Sequence, residues 1–128
     1  MRRTRIEITP SQQLDELNLY SPVIIQYAVT ADRTTAVQAF VAPFNMKITR
    51  IDVLAQATVS NGTITPSKAT DAMCTAIACE TDGAITSMSA GAVVANIARL
   101  TLAKGDIVKV VAANAADRGI VTFYGVRV

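Results

Sequence analysis

Few residues in this 128-residue chain can do chemistry, and the commonest of them is missing: there is no histidine. Ser-His-Asp and Cys-His triads are therefore closed to it, as are imidazole metal sites and the usual general acid–base group near neutral pH. Carboxylates remain. Asp15 and Glu16 are adjacent, and Glu80 lies two residues from Asp82, but neither pair stands in a motif that would couple an acid to a base. Solvated turn charges account for both pairs. Glycoside hydrolysis would need two carboxyls about 5–9.5 Å apart, and only Asp52 lies clearly within a strand, where alternation puts it on the polar face.

Two cysteines, Cys74 and Cys79, lie five residues apart. On a strand that spacing separates their Cα atoms by about 16 Å and turns them to opposite faces. On a helix they stand about 140° apart around the axis. Neither arrangement meets the roughly 4.4–6.8 Å a disulfide needs, and two thiols fall short of a four-ligand zinc site. The expectation is two free, buried thiols in a reducing compartment. The six glycines are isolated in turns, so there is no phosphate-cradling loop. Lys104-Gly105-Asp106 is read as turn chemistry, and Met73 and Met88 as core filler. Together these features predict no catalytic residue, no metal site and no cofactor: a protein that is not an enzyme.

The elements that would carry these residues are β-strands. Hydrophobic residues make up 51% of the chain and charged residues 17%, against about 25% in an ordinary soluble domain. Strand-like runs recur between turn signals: Val23 to Thr30, Thr35 to Ala42, Ile48 to Val59, Thr63 to Thr65, Ala72 to Glu80, Ala84 to Met88, Val93 to Leu102, Ile107 to Ala113 and Ile120 to Val128. Within Ile48 to Val59, Ile51, Val53, Ala55 and Ala57 share one face and Arg50, Asp52 and Gln56 the other. Asn61-Gly62, Asp82-Gly83 and Lys104-Gly105-Asp106 are turns, and Asp117-Arg118-Gly119 is read as a tight turn whose glycine takes positive φ. Ser89 to Ala92 is loop-like. Ile107 to Val111 is apolar on both faces, which predicts a core or an interface position. No heptads and no apolar run of about 18 residues occur, so neither a coiled coil nor a membrane-spanning helix is expected. The fold class predicted is all-β, an antiparallel jelly-roll-like sandwich or barrel with an extended N-terminal arm. The division expected is residues 1–20 as the arm and 21–128 as the body.

Charge separates the arm from the body. Net charge is +2, from 12 basic and 10 acidic residues. Removing Arg2, Arg3 and Arg5 leaves 9 basic against 10 acidic, so residues 6–128 carry −1. Arg2 to Ile8 alternates, with Thr4, Ile6 and Ile8 on one side and Arg3, Arg5 and Glu7 on the other, as an arm or edge strand would. A basic tip suits an acidic protein surface. A nucleic-acid binder would need a wider basic face and, for single strands, aromatic platforms, whereas aromatics are 5% and tryptophan is absent. No nucleic-acid and no membrane partner is expected, and no export signal is read in the first residues.

Two stretches carry a resemblance. One runs Phe40-Val41-Ala42-Pro43-Phe44-Asn45-Met46-Lys47-Ile48-Thr49-Arg50-Ile51 into an apolar strand. The other runs Leu100-Thr101-Leu102-Ala103-Lys104-Gly105-Asp106-Ile107-Val108-Lys109-Val110 into a final hairpin. An aromatic-x-Ala-Pro segment leading into a strand, paired with a Lys-Gly-Asp turn before the penultimate strand, resembles the small jelly-roll cement or decoration proteins of tailed-phage capsids, over Val23 to Val128. The resemblance implies a structural virion protein on the outer capsid surface, assembled in the host cytoplasm. It implies a homo-oligomer, a trimer, bound to the major capsid protein. It also implies an N-terminal arm that contacts neighbouring subunits, with Arg2, Arg3, Arg5, Ile6 and Ile8 as its partner-binding residues. The alternative is a tail or fibre head that recognises a surface glycan or protein, for which the shortage of aromatics is unfavourable.

Overall fold

A computed structural model describes residues 21–88 and 97–128. The expected arm, with Arg2, Arg3, Arg5, Ile6 and Ile8, lies outside the described residues, as does the loop expected at 89–92. Ten strands follow in chain order: β1 (Pro22–Val29), β2 (Val37–Val41), β3 (Met46–Ala55), β4 (Thr63–Lys68), β5 (Asp71–Ala72), β6 (Ile77–Ala78), β7 (Ile85–Ser87), β8 (Thr101–Leu102), β9 (Ile107–Ala112) and β10 (Gly119–Arg127). A short 3-10 turn, Ile97–Arg99, precedes β8.

The strands form two five-stranded antiparallel sheets. Sheet A runs β1-β10-β3, with β7 and β8 both on the far side of β3; sheet B runs β2-β9-β4, with β5 and β6 both on the far side of β4. The first strand lies beside the last and the second beside the next to last. With each split pair taken as one interrupted strand, this is the nesting of two Greek keys in a jelly roll. The predicted sandwich is the fold of residues 21–88 and 97–128.

Alternation fills the space between the sheets. Val121, Phe123, Ile51 and Val53 from sheet A meet Val108, Val110 and Ile64 from sheet B, all fully buried. The Phe40 ring meets Phe123 edge-on across the sandwich, centroids 5.0 Å apart. Each such side chain contributes about 1.5–3 kcal/mol through burial. Cys74 and Cys79 are free thiols in this core, and Met73 is completely buried in it, as expected.

Several local expectations need correction. The run over 72–80 is not one strand but β5 and β6 with a break between them. Pro66 explains it: the proline lies within β4, past the point where the strand was expected to stop. Its carbonyl accepts from Met73 N at 2.9 Å, so its nitrogen, which has no proton to donate, faces the same side and the neighbouring strand has no donor there. The run over 93–102 is the 3-10 turn and two residues of β8 among its described residues. Gly119 does not take positive φ; Gly83 and Gly105 do. Gly119 opens β10, where a Cβ would stand 2.7 Å from the Leu54 carbonyl oxygen, so close backbone approach is what requires glycine there. In β3, Thr49 is left over where the register passes from Tyr124↔Arg50 to Gly125↔Ile48. This bulge shifts the inward parity, so Met46 and Ile48 join Ile51, Val53 and Ala55 in the core. Within this chain β9 is buried on one face only; Ile107, Lys109 and Val111 lie on its open side.

Candidate interaction surface

The two stretches singled out in the sequence are brought together at one end of the sandwich. Val41 pairs with Ile107 and Met46 with Leu102. Gly105 N donates to the Ala42 carbonyl at 2.8 Å, and Lys104 N donates to Asn45 Oδ1 at 2.9 Å. Gly105 allows the turn by its positive φ of 93°. Asp106 Oδ2 accepts from Ala103 N at 2.8 Å and faces Lys68 Nζ at 3.4 Å. The Ala103 N–H first, and Lys68 after it, hold the Asp106 carboxyl below its ordinary range. Lys68 Nζ also donates to the Thr101 carbonyl at 3.2 Å. The open cleft beside this turn, about 670 Å³, is lined by Asn45, Lys68, Leu102, Asp106 and Val128 among others. Its charged groups already satisfy each other.

The outer face of sheet A is ordered in rows by the strand register. One row is apolar: Ala28, Ile120, Leu54 and Ile85. The next is polar: Gln26, Thr122, Asp52 and Ser87. The third holds Ile24, Tyr124 and Arg50. Ile24 and Ile85 are 62% and 65% exposed, the largest openings among the described bulky apolar residues. Between the rows lies a shallow depression of about 210 Å³. Asp52 is on this outward face, as alternation predicts, yet only 6% exposed. Arg50 Nε reaches Asp52 Oδ1 and its Nη2 reaches Oδ2, both at 2.8 Å, a two-pronged contact. The same guanidinium lies 5.4 Å from the Tyr124 ring centroid. Hydrogen bonding to Asp52 raises the Arg50 pKa still further. The charges in these three rows cancel each other, while the next row, Pro22, Val126, Lys47 and Thr101, adds the exposed Lys47 ammonium at one end of the face.

The sheet edges differ from one another. Sheet A ends on one side in β7 and β8, three and two residues long. Sheet B ends in β5 and β6, two residues each, and in β2, five residues with a register slip between Gln38 and Phe40. Such short or bulged edges are poor templates for further strands. β1 is the exception. Its eight residues, PVIIQYAV, include no charge, and all eight pair with β10 in unbroken register. No strand pairs with its outer edge among the described residues. The inward-facing Val23, Ile25 and Tyr27 are only half-buried there.

Among the described residues, no three potential ligands come together to hold a metal ion. Burial raises the Cys74 thiol to about 11 and raises Cys79 as well, Asp117 adding to the latter, which makes both poor nucleophiles. The fully buried Asp117 was not singled out in the sequence except as a turn residue. Its Oδ2 accepts from Asn114 N at 3.0 Å while Oδ1 has no partner. It lies against Gly62, where a Cβ would collide with Asp117 and the Cys79 carbonyl. Its own bond closes the 114–117 turn, while Asn114 Nδ2, donating to the Asn61 carbonyl at 3.3 Å, and Ala113 N, donating to the Thr63 carbonyl at 3.0 Å, tie that loop to the start of β4. The chain matches no protein-family model, no curated protein and no solved structure.

Proposed function

We propose that this chain is a structural virion protein that decorates and stabilises a tailed-phage capsid by binding the major capsid protein. It acts as a homotrimer on the outer capsid surface, with the N-terminal arm contacting neighbouring subunits, and it is assembled in the host cytoplasm. It uses no cofactor and is not an enzyme. The observation that carries the reading is the partly apolar outer face of sheet A, on which Arg50 and Asp52 cancel each other, together with the uncharged β1 edge, a surface suited to protein contacts. The jelly-roll order of the strands and the sequence resemblance of the two stretches that meet beside the Lys104-Gly105-Asp106 turn point the same way. In this reading Arg2, Arg3 and Arg5 meet acidic groups of the shell, and several weak attachments per trimer add up to firm binding.

The test is co-sedimentation of the full chain with shells assembled from the cognate major capsid protein. Saturable binding at a fixed number of copies per shell is expected. Removal of residues 1–9 is expected to leave the fold intact and abolish attachment. Absence of binding to intact shells would contradict the reading.

A further inference from the structure

We propose that the free edge of β1 is the docking site for residues 2–8 of a neighbouring copy of this chain, which join sheet A as a sixth strand. The inference rests on the homo-oligomeric reading above and adds to it the place where the arm docks. Three observations converge. Of the four sheet edges, only that of β1 is long, straight and uncharged among the described residues, and an edge of that kind is a template for another strand.

The second observation is the matching pattern of side chains. Val23, Ile25 and Tyr27 face inward yet stay half-open, while Phe123 and Ile51, in the same cross-strand row as Ile25, are completely buried. A strand laid on β1 with Thr4, Ile6 and Ile8 inward continues the apolar layer over them. Arg3, Arg5 and Glu7 then project outward, beside the exposed Ile24, Gln26 and Ala28.

The third is reach. The arm joins the body at the start of β1, and thirteen residues, 9–21, link its alternating segment to Pro22. Extended, such a tether spans up to about 45 Å, well beyond the roughly 26 Å length of β1 itself. An arm passed in one direction to the next copy is a heterologous contact, which closes into a ring such as a trimer.

The test uses full-length chains carrying one new cysteine each. Gln26→Cys marks the exposed side of the edge, and Arg3→Cys, Arg5→Cys and Glu7→Cys mark the arm in successive registers. An edge variant and an arm variant are mixed and oxidised, with the unaltered chain as control for the buried Cys74 and Cys79. The expected result is a covalent dimer between an edge chain and an arm chain in at least one register, together with a threefold fall in native mass when residues 1–9 are removed. A double variant with Gln26→Cys and an arm cysteine in one chain is oxidised alongside. A cross-link that it closes within the chain, while the mixed single variants form none, would overturn the proposal, since the arm then covers its own edge. So would a dimer between two Gln26→Cys chains as the sole product, or no cross-link in any register. Shell binding is scored separately on the unaltered chain. A cross-link without shell binding would keep the docking site and discard the virion role; shell binding without a cross-link would do the reverse.

Discussion

Sheet A ends on one side in β1, eight residues in unbroken register, and on the other in β7 and β8, three and two residues long and separated along β3. The broken side terminates itself: Asp82-Gly83 turns the chain just before β7, with Gly83 at a φ of 84°, and neither short strand exposes enough backbone to recruit another. The β1 side has no such device. It lacks charge, bulge and covering element among the described residues, and its inward residues stay half-open. One sheet thus carries a finished edge and an unfinished one, and the unfinished edge is where the chain's twenty N-terminal residues join the body. A fold that protects three edges and leaves the fourth continuous offers that edge as a template for a further strand.

Truncations along one cross-strand row test this contrast most strongly. Ile25, Phe123 and Ile51 lie in register. Ile51→Ala is expected to cost about 2–5 kcal/mol in denaturant unfolding. Ile25→Ala is expected to cost clearly less in a chain lacking residues 1–9, and more in the full chain. Equal costs with and without the arm would remove the difference between the two edges. Gly62→Ala probes the broken edge of sheet B, where the new Cβ would meet the Cys79 carbonyl and Asp117. Overpacking of about 1–3 kcal/mol or more is expected, read as a lowered Tm.

Surface charge sharpens the comparison without disturbing the fold. Ile24→Lys and Ile85→Lys replace the two most exposed isoleucines among the described residues and should change stability by less than about 0.5 kcal/mol each. Only Ile24→Lys should weaken association, because the new ammonium would stand beside the docked arginines, and Ile24→Glu should strengthen it at low salt. Equal effects at positions 24 and 85 would move the interface to the sheet face.

Two pH responses are smaller. With the Cys74 thiol raised to about 11 by burial and an unfolded thiol near about 8.5, the folded chain holds that proton more firmly. Its stabilising contribution is complete below about pH 8.5 and is lost as pH rises towards 11; alkylation at pH 8 should modify neither cysteine until denaturant is added. Asp106 behaves oppositely. Its folded pKa is depressed by the Ala103 N–H and then by Lys68, so its contribution is present above about pH 4 and lost as pH falls through the folded value. Asp106→Asn should flatten that acid limb of the Tm profile slightly.

Much of the sandwich was legible in the sequence because β1, β3, β9 and β10 are rich in β-branched and aromatic residues and end near turn signals. Their ends fall within two residues of the expected ones, except that β3 stops at Ala55 rather than Val59. What escaped was non-local. The break opposite Pro66 depends on which strand lies beside it, the bulge at Thr49 on the register against Gly125, and the need for glycine at 119 on the Leu54 carbonyl. The same limit applied to the interaction surface. The alternation of Arg2 to Ile8 and of Val23 to Val29 could each be read alone, but pairing order decides which strand is an edge, and pairing order is written in contacts between Pro22–Val29 and Gly119–Val126, about a hundred residues away.

Native mass by light scattering on a sizing column, for the full chain and for the chain lacking residues 1–9, tests the assembly most directly. The expected result is three times the 13.5 kDa chain for the full protein, falling to a single folded copy when the arm is removed. A full-length chain that runs as a monomer with an unchanged mass after truncation would contradict it.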